Sequence, residues 1–469
     1  MLTTFVALYL LASIALGLWF ARRVHNTADY AVAGRALPLS IIIGTTFATW
    51  FGSETVIGIP AKFLEGGVSE TAEDPWGASL CLILVGLFFS RRLYQHSLLT
   101  INDYYRQRYG KGVELFCSAV SVISYLGWVA AQISALGIVF SLLTDSAISP
   151  LTGTFLGTFV VLFYTIFGGM WSVAVTDFIQ MIVIVICLTA IAVSAGSLAG
   201  GPLQVLEVAH QRQMLEFLPP LETKRLLFFF GSGITIMLGS IPQQDIFQRV
   251  MSAKSADIAV IGPLIGGIAY LLFSFIPMFI VATGFILMPE EIETLVEQDA
   301  QHVLPTLIMD HMSEATKILF FGALLSAIMS TASSTILAPS TVFVQNVLKH
   351  FWPQMSDRQE LRLMRVTVLL FTVLVLCYSI AMHGTSVYDL VSSSYQVPLV
   401  GAFVPLVCGL YWDRATNRGA VTSIVLGIGT WLLFMATPLG EAFPQQLAGL
   451  LMAGFGMWFG SIYLVRQKG

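Results

Sequence analysis

The sequence predicts an all-α, multi-pass membrane protein in which ten central helices form two five-helix blocks of opposite direction. Three observations carry that prediction. Of 469 residues, 56% are hydrophobic and only 11% charged, with a mean hydropathy of +0.81, a composition foreign to water-soluble domains. Apolar runs of about 18 residues or more, long enough to cross a hydrocarbon layer, recur thirteen times. Two of these runs, five spans apart, are interrupted at mid-depth by glycine, proline, hydroxyl and acidic residues.

The first span covers about 3–21 and is followed by Arg22 and Arg23. It has no basic stretch before it and no small-residue cleavage site after it, so it reads as a retained helix rather than a signal peptide. The second, about 38–64, contains Gly44, Gly52, Gly58, Pro60 and the ionisable Glu54. A polar loop, Glu65–Asp74, leads to a third span at about 75–91, and Arg106, Arg108 and Lys111 lie in the connection after it. Spans at about 113–142, 150–169 and 173–198 complete the first block. After the polar stretch Gly200–Arg225, the run at about 226–248 loses its apolar character at Gly239-Ser240-Ile241-Pro242-Gln243-Gln244-Asp245. Spans at about 257–288 and 316–347 flank an acidic loop carrying Glu290, Glu291, Glu293, Glu297 and Asp299. The last four spans lie at about 364–383, 387–412, 418–437 and 446–465.

Lysine and arginine set the direction, because cytoplasmic connections hold the excess. With the N-terminus outside, eighteen basic residues fall in inner connections or the inner C-terminus, Arg249, Arg466 and Lys468 among them. Only Lys62, Arg212, Lys224, Arg225 and Lys317 fall outside. An N-out, C-in protein of the plasma (inner) membrane follows. Residues 1–469 then form one transmembrane domain: an extra helix at 1–24, a first five-helix repeat at 38–199, an inverted second repeat at 226–413 and two helices at 418–469. Opposed blocks with interruptions at matching places point to an inverted repeat whose binding site lies at mid-membrane.

Composition also sets aside several functions. A net charge of −4 without a basic block gives no footing for nucleic acid. Cys81, Cys117, Cys187, Cys377 and Cys408 lie inside apolar runs without ligand spacing, and so read as free core residues rather than disulfides or a zinc site. The seven histidines are scattered, and no nucleophile–base pair marks an enzyme. No catalytic residue and no organic cofactor is expected.

An unwound span is tolerated in lipid only where it lines a protein-walled cavity, and an ionisable residue there marks a functional site by default. The opposing reading of 38–64 is a packing helix with small residues at its contacts. In Gly322–Thr335, Ala327, Ser330, Ser333 and Ser334 recur at i, i+3, i+6 and i+7, with Thr331 beside them. This face is either an all-oxygen set for a hard monovalent cation or a stripe for close helix packing. Asp177 is either solvated at a membrane edge or an ion ligand one turn deep. Asp245 caps a half-helix or faces a cavity. Trp50 and Trp128 stack on a solute or pack. Asp389 reads as an outer-edge residue, and Trp171, Trp412 and Trp458 as interfacial anchors.

The stretch from Tyr164 to Gln180, YTIFGGMWSVAVTDFIQ, resembles the signature of the sodium/solute symporter family, as do Ala33-Gly34-Arg35 and Ala327-Ile-Met-Ser-Thr331. The resemblance extends over nearly the whole chain. It implies a leucine-transporter-type fold of thirteen helices with a five-plus-five inverted repeat, coupling one or two sodium ions to solute uptake. By that resemblance, carbonyls of Ala48, Phe51 and Ala327 with hydroxyls of Ser330 and Thr331 form a first sodium site. Asp177, Ser330, Ser333 and Ser334 match a second site found in some relatives, such as sialic acid symporters. Thr49-Trp50, Leu82–Phe89, Trp128–Gly137 and Leu238–Val250 are most similar to the high-affinity choline transporter branch, although Gln243 and Ala78 stand where that branch carries Trp and Tyr.

Trp50 and Trp128 would give two walls of an aromatic cage for a quaternary nitrogen. Glu54, Gln243 and Asp245 add polarity that suits an amino-bearing or zwitterionic solute. The expected function is therefore sodium-coupled import of a small organic solute by alternating access, choline-like or amino-bearing. Alternatives are a symporter for a sugar, amino acid or carboxylate, or a membrane sensor acting through a partner, with no signalling domain expected after Gly469. The expected surroundings are solute, sodium and lipid, as a monomer or loose homo-oligomer.

Overall fold

The structure, a computed structural model, describes residues 2–144, 147–382 and 384–466. Lys468, counted above with the inner C-terminus, lies outside the described residues. Among them the only β pairing is an isolated bridge from Leu37 to Ala253. It is made by Leu37 N–H donating to the Ser252 carbonyl at 3.0 Å and Lys254 N–H to the Leu37 carbonyl at 2.9 Å. This bridge ties the entry of the first interrupted helix to the exit of the second.

By length and hydropathy, nine helices among the described residues suit a membrane, or ten if the bent pair Thr223–Gly239 and Gln244–Ser252 is one span. The predicted run at 38–64 falls short for a physical reason: it is cut. Leu39–Trp50 stops at Phe51. The helix Pro150–Leu198 is divided at Gly169, whose φ of 50° and ψ of −151° end one helical segment and start the next. A Cβ there would stand 2.6 Å from the Tyr30 carbonyl oxygen, so both conformation and space demand glycine.

The serine-rich helix Glu314–Val342 sits at the centre. Every residue from Phe320 to Val342 is buried, and 89% of the apolar window in Glu314–Phe351 is inside protein, against 17% for Thr3–Ala21 near the N-terminus. A central helix in lipid is surrounded by other helices, and small side chains let their backbones approach. Its neighbours are Lys111–Leu143, the second half of Pro150–Leu198, and Leu39–Trp50.

Three expectations need correction. The polar loop Glu65–Asp74 is exposed at Glu65 and Glu70, but a 3-10 turn at Val68–Thr71 and a wide turn at Ala72–Gly77 fold its second part inward, leaving Glu73 and Asp74 each 3% exposed. Their carboxylates reach hydroxyl donors on distant helices, which a local reading cannot anticipate. The acidic connection contains the helices Ile292–Asp299 and Val303–His311, the first of them packed near the end of the first broken helix. Cys377 is exposed rather than a core residue, while Cys81, Cys117 and Cys187 are buried; all five are free.

Candidate functional site

The first interruption leaves backbone groups to be satisfied from elsewhere. Helix Leu39–Trp50 ends where Phe51 turns to φ −90° and ψ 71°, and winding resumes at Glu54–Gly58 and Ile59–Gly66. Ser53 N–H donates to Gln132 Oε1 at 2.9 Å, Thr55 Oγ1 to the Trp50 carbonyl at 3.2 Å, and Thr331 Oγ1 to the Ala48 carbonyl at 3.5 Å. Gly52 is the hinge of this gap. A Cβ on it would lie 2.4 Å from Glu54 Oε2, 2.7 Å from Thr331 Oγ1 and 2.9 Å from Gln132 Oε1. The gap is thus a cradle of oxygens in which a side chain of any size collides. Ala48, Phe51, Ala327, Ser330 and Thr331 are all fully buried.

Beside the cradle lies a cluster of four aromatic rings with two buried carboxylates. Trp50 and Trp128 meet edge to face at 5.9 Å, Trp50 stacks with Tyr395 at 6.2 Å, Trp128 lies 5.4 Å from Tyr395, and Tyr125 stacks on Trp128 at 6.2 Å. Such spacings are ring-to-ring contacts. The Trp128 indole N–H donates to Glu54 Oε1 at 2.9 Å and Gln132 Nε2 to Glu54 Oε2 at 2.7 Å. The Trp50 indole N–H donates to Asp245 Oδ2 at 3.2 Å, and Tyr125 OH to Asp245 Oδ1 at 2.6 Å. Each acid therefore holds one indole edge-on and leaves that ring's electron-rich faces for neighbours. Asp245 opens the second half of the second broken helix, Gln244–Ser252, and both Glu54 and Asp245 are at most 2% exposed. Gln243, the residue before that half-helix, is turned aside: its Nε2 donates to Ser124 Oγ at 3.0 Å.

Asp177 is fully buried, which sets aside the reading of a solvated edge residue. It accepts from Ser330 Oγ at 2.6 Å on Oδ1, and from Thr45 Oγ1 at 2.6 Å and Thr49 Oγ1 at 3.3 Å on Oδ2. Ser334 Oγ does not meet Asp177; it lies 3.2 Å from Thr49 Oγ1 and accepts from Arg249 Nη2 at 2.5 Å. Ser333 turns to its own helix, donating to the Ser330 carbonyl at 3.0 Å. Arg249, grouped by sequence with the inner-loop cations, is 1% exposed. Its Nη2 lies 3.7 Å from Asp177 Oδ2 and its Nη1 donates to the Asp245 carbonyl at 2.7 Å. A buried guanidinium needs such partners, because an unpaired one is prohibitively costly.

At one end of the bundle a cavity of about 760 Å³ is lined by Lys62, Glu70, Glu73, Arg225, Tyr388 and Asp389 among others. Glu73 accepts from Ser392 at 2.7 Å and Ser232 at 3.2 Å. Next to it in the chain, Asp74 accepts from Tyr270 OH at 2.5 Å. Tyr270 OH lies 3.0 Å from Thr55 Oγ1, which bonds the Trp50 carbonyl. Polar groups thus connect the vestibule to the gap in the first broken helix.

Gln132, Tyr125, Tyr395, Tyr270 and Arg249 were missed by sequence reasoning. Gln132 carried the best available signal, an amide four residues after Trp128 and so on the same helix face.

An all-helical bundle with two broken helices meeting at a buried polar site defines a leucine-transporter-type transporter, and solved structures share this fold. A Na+-coupled sialic acid symporter, in a substrate-bound outward-open state, superposes with a TM-score of 0.85 at 18% identity, covering 98% of this chain and 97% of that one. Mhp1, a nucleobase-cation-symport-1 family transporter in a closed conformation, gives 0.63 at 14% identity, covering 95% and 96%. Residues 30–427 match the sodium:solute symporter family, and the chain belongs to it. Relatives include the human high affinity choline transporter 1, 28% identical over 447 residues, 91% of this chain and 75% of that protein. A sodium/glucose cotransporter of Vibrio parahaemolyticus is 24% identical over 492 residues, 95% and 87% of the two chains. The protein is an integral, multi-pass membrane protein and a sodium-coupled symporter of a small solute, not an enzyme.

Proposed function

We propose that the solute is a small organic cation, choline-like or amino-bearing, held between Trp50, Trp128, Tyr125 and Tyr395 and balanced by Glu54 and Asp245. One observation carries this reading: the two tryptophans that meet edge to face each donate their indole N–H to a different buried carboxylate. Aromatic faces attract a cation that cannot itself donate a hydrogen bond, and two acids in a low-dielectric site oppose an anion. A carboxylate solute fits poorly for that reason, and a sugar would leave the charges unbalanced. A zwitterion would need a cationic partner for its acid, and Arg249 is engaged with Ser334 and Asp177.

Sodium would sit in the gap at Gly52, on the carbonyls of Ala48, Phe51 and Ala327 and the hydroxyls of Ser330 and Thr331. The facing of Thr331 and the Ala48 carbonyl across the gap supports that assignment. Bridging two helices, the ion biases the equilibrium between states by as much as its affinity for them differs. Each sodium entering down a potential of 100 mV contributes about 2.3 kcal/mol. The aromatic rings, in mutual contact here, part to admit the solute and close over it.

The wider arrangement belongs to the same proposal: thirteen spans as 1–24, 38–199, 226–413 and 418–469, the N-terminus outside, the C-terminus cytoplasmic, and the acidic vestibule on the outer face. The protein would reside in the plasma membrane as a monomer or loose homo-oligomer surrounded by lipid, with no nucleic-acid partner. Uptake of radiolabelled choline, proline, glucose and lactate into proteoliposomes, with an inward sodium gradient or potassium in its place, tests it. The expected result is sodium-dependent accumulation of the cation alone. Accumulation of glucose or lactate instead would replace the substrate reading, and binding without accumulation would favour a sensor.

A further inference from the structure

Resting on the sodium-symport reading, the surroundings of Asp177 bear on how many ions are coupled. A second sodium there would need the oxygens of Asp177, Ser330, Ser333 and Ser334 to converge on one point with no other cation among them. Three hydroxyls already donate to the Asp177 carboxylate, from Ser330, Thr45 and Thr49. The Ser334 oxygen accepts from a guanidinium, and Ser333 is bonded to its own helix. The donor set therefore does not fit a second metal ion; a charge-bearing side chain stands in that place. A sodium ion added beside it would put two like charges against one carboxylate in a buried setting, where screening is weak.

We propose that Arg249 is a tethered cation filling the second ion site, so that this symporter couples its solute to a single sodium ion. The guanidinium is anchored from both sides: one terminal nitrogen on the Asp245 carbonyl at 2.7 Å, the other 2.5 Å from Ser334 Oγ and 3.7 Å from Asp177 Oδ2. It joins the second broken helix to helices of both blocks. Unlike sodium, it neutralises Asp177 without being carried across the membrane.

The test is a count of bound 22Na+ per chain on purified protein at saturating sodium, which needs no knowledge of the solute. One ion is expected for the wild type, one for Asp177→Asn and one for Arg249→Lys. Arg249→Gln vacates the pocket, and the count should rise to two, falling back to one in Arg249→Gln/Asp177→Asn. A gained ion is a result that mere loss of packing does not produce. Two ions on the wild type, with Asp177→Asn losing one, would overturn the proposal, as would an Asp177→Asn protein that binds none. An Arg249→Gln protein that folds and still binds one ion would remove Arg249 from the role. Should that variant not fold, the wild-type and Asp177→Asn counts still decide. No ion on the wild type would overturn this proposal together with the sodium-site reading, whereas failure of choline uptake alone leaves the count untouched.

Discussion

The two broken helices occupy matching places in the inverted blocks, yet they are broken differently and carry different charges. The first gives way at Phe51–Gly52–Ser53, and what enters the gap is neutral or acidic oxygen: Thr331 Oγ1, Gln132 Oε1 and Glu54 Oε2 surround Gly52. The second bends by 44° around Pro242, and its second half, Gln244–Ser252, is buried at every position while bringing in both Asp245 and Arg249. One break gathers a cradle of oxygens, where sodium is proposed to sit; the other brings in a fixed cation, Arg249. The two breaks correspond in chain order and differ in charge. The aromatic cluster draws on both, with Trp50 and Glu54 from the first broken helix and Asp245 from the second.

The comparison breaks most sharply at Gly52. Gly52→Val places methyl groups where three oxygens already lie within 2.9 Å of a built Cβ. Losing even two such interactions at about 1.5 kcal/mol each predicts a fall of roughly 100-fold in sodium-driven uptake, with normal membrane insertion. Retained uptake would mean that the gap is not where sodium acts.

On the solute side, Trp50→Ala removes a desolvated cation–π contact worth about 2 kcal/mol. Affinity for choline, as the probe cation, should weaken by roughly 30-fold, while the sodium concentration for half-maximal uptake changes little. Equal losses of both would assign Trp50 to packing. Smallest is the effect expected at the vestibule: Asp389 lies 3.7 Å from Lys62 with its side chain 56% exposed. Asp389→Asn should cost less than about 1 kcal/mol, seen as an affinity change below about fivefold.

The fold was legible because lipid imposes it: apolar runs of spanning length and two runs broken at mid-depth have few structural solutions. Glu54, Asp245, Trp50 and Trp128 were legible for a related reason, being polar or aromatic groups out of place in hydrocarbon. Their mutual geometry was not. Trp128 bonds Glu54 across 74 residues of chain and Trp50 bonds Asp245 across 195, separations that local pattern does not cover. Arg249 misled for the opposite reason. It follows an apolar run, where a basic residue ordinarily meets solvent, and only Asp177 and Ser334 on other helices explain its burial. Glu73 and Asp74 read locally as loop residues because their partners Ser232, Tyr270 and Ser392 lie far along the chain.

In the proposed mechanism, sodium couples through the seam between the Ala48 carbonyl and Thr331. The most direct measurement is the sodium dependence of uptake by Thr331→Ala in proteoliposomes, set against solute affinity at saturating sodium. Loss of one ligand worth about 1.5 kcal/mol should raise the half-saturating sodium concentration roughly tenfold while solute affinity stays within about twofold. An unchanged sodium requirement in a correctly inserted Thr331→Ala protein would contradict the account.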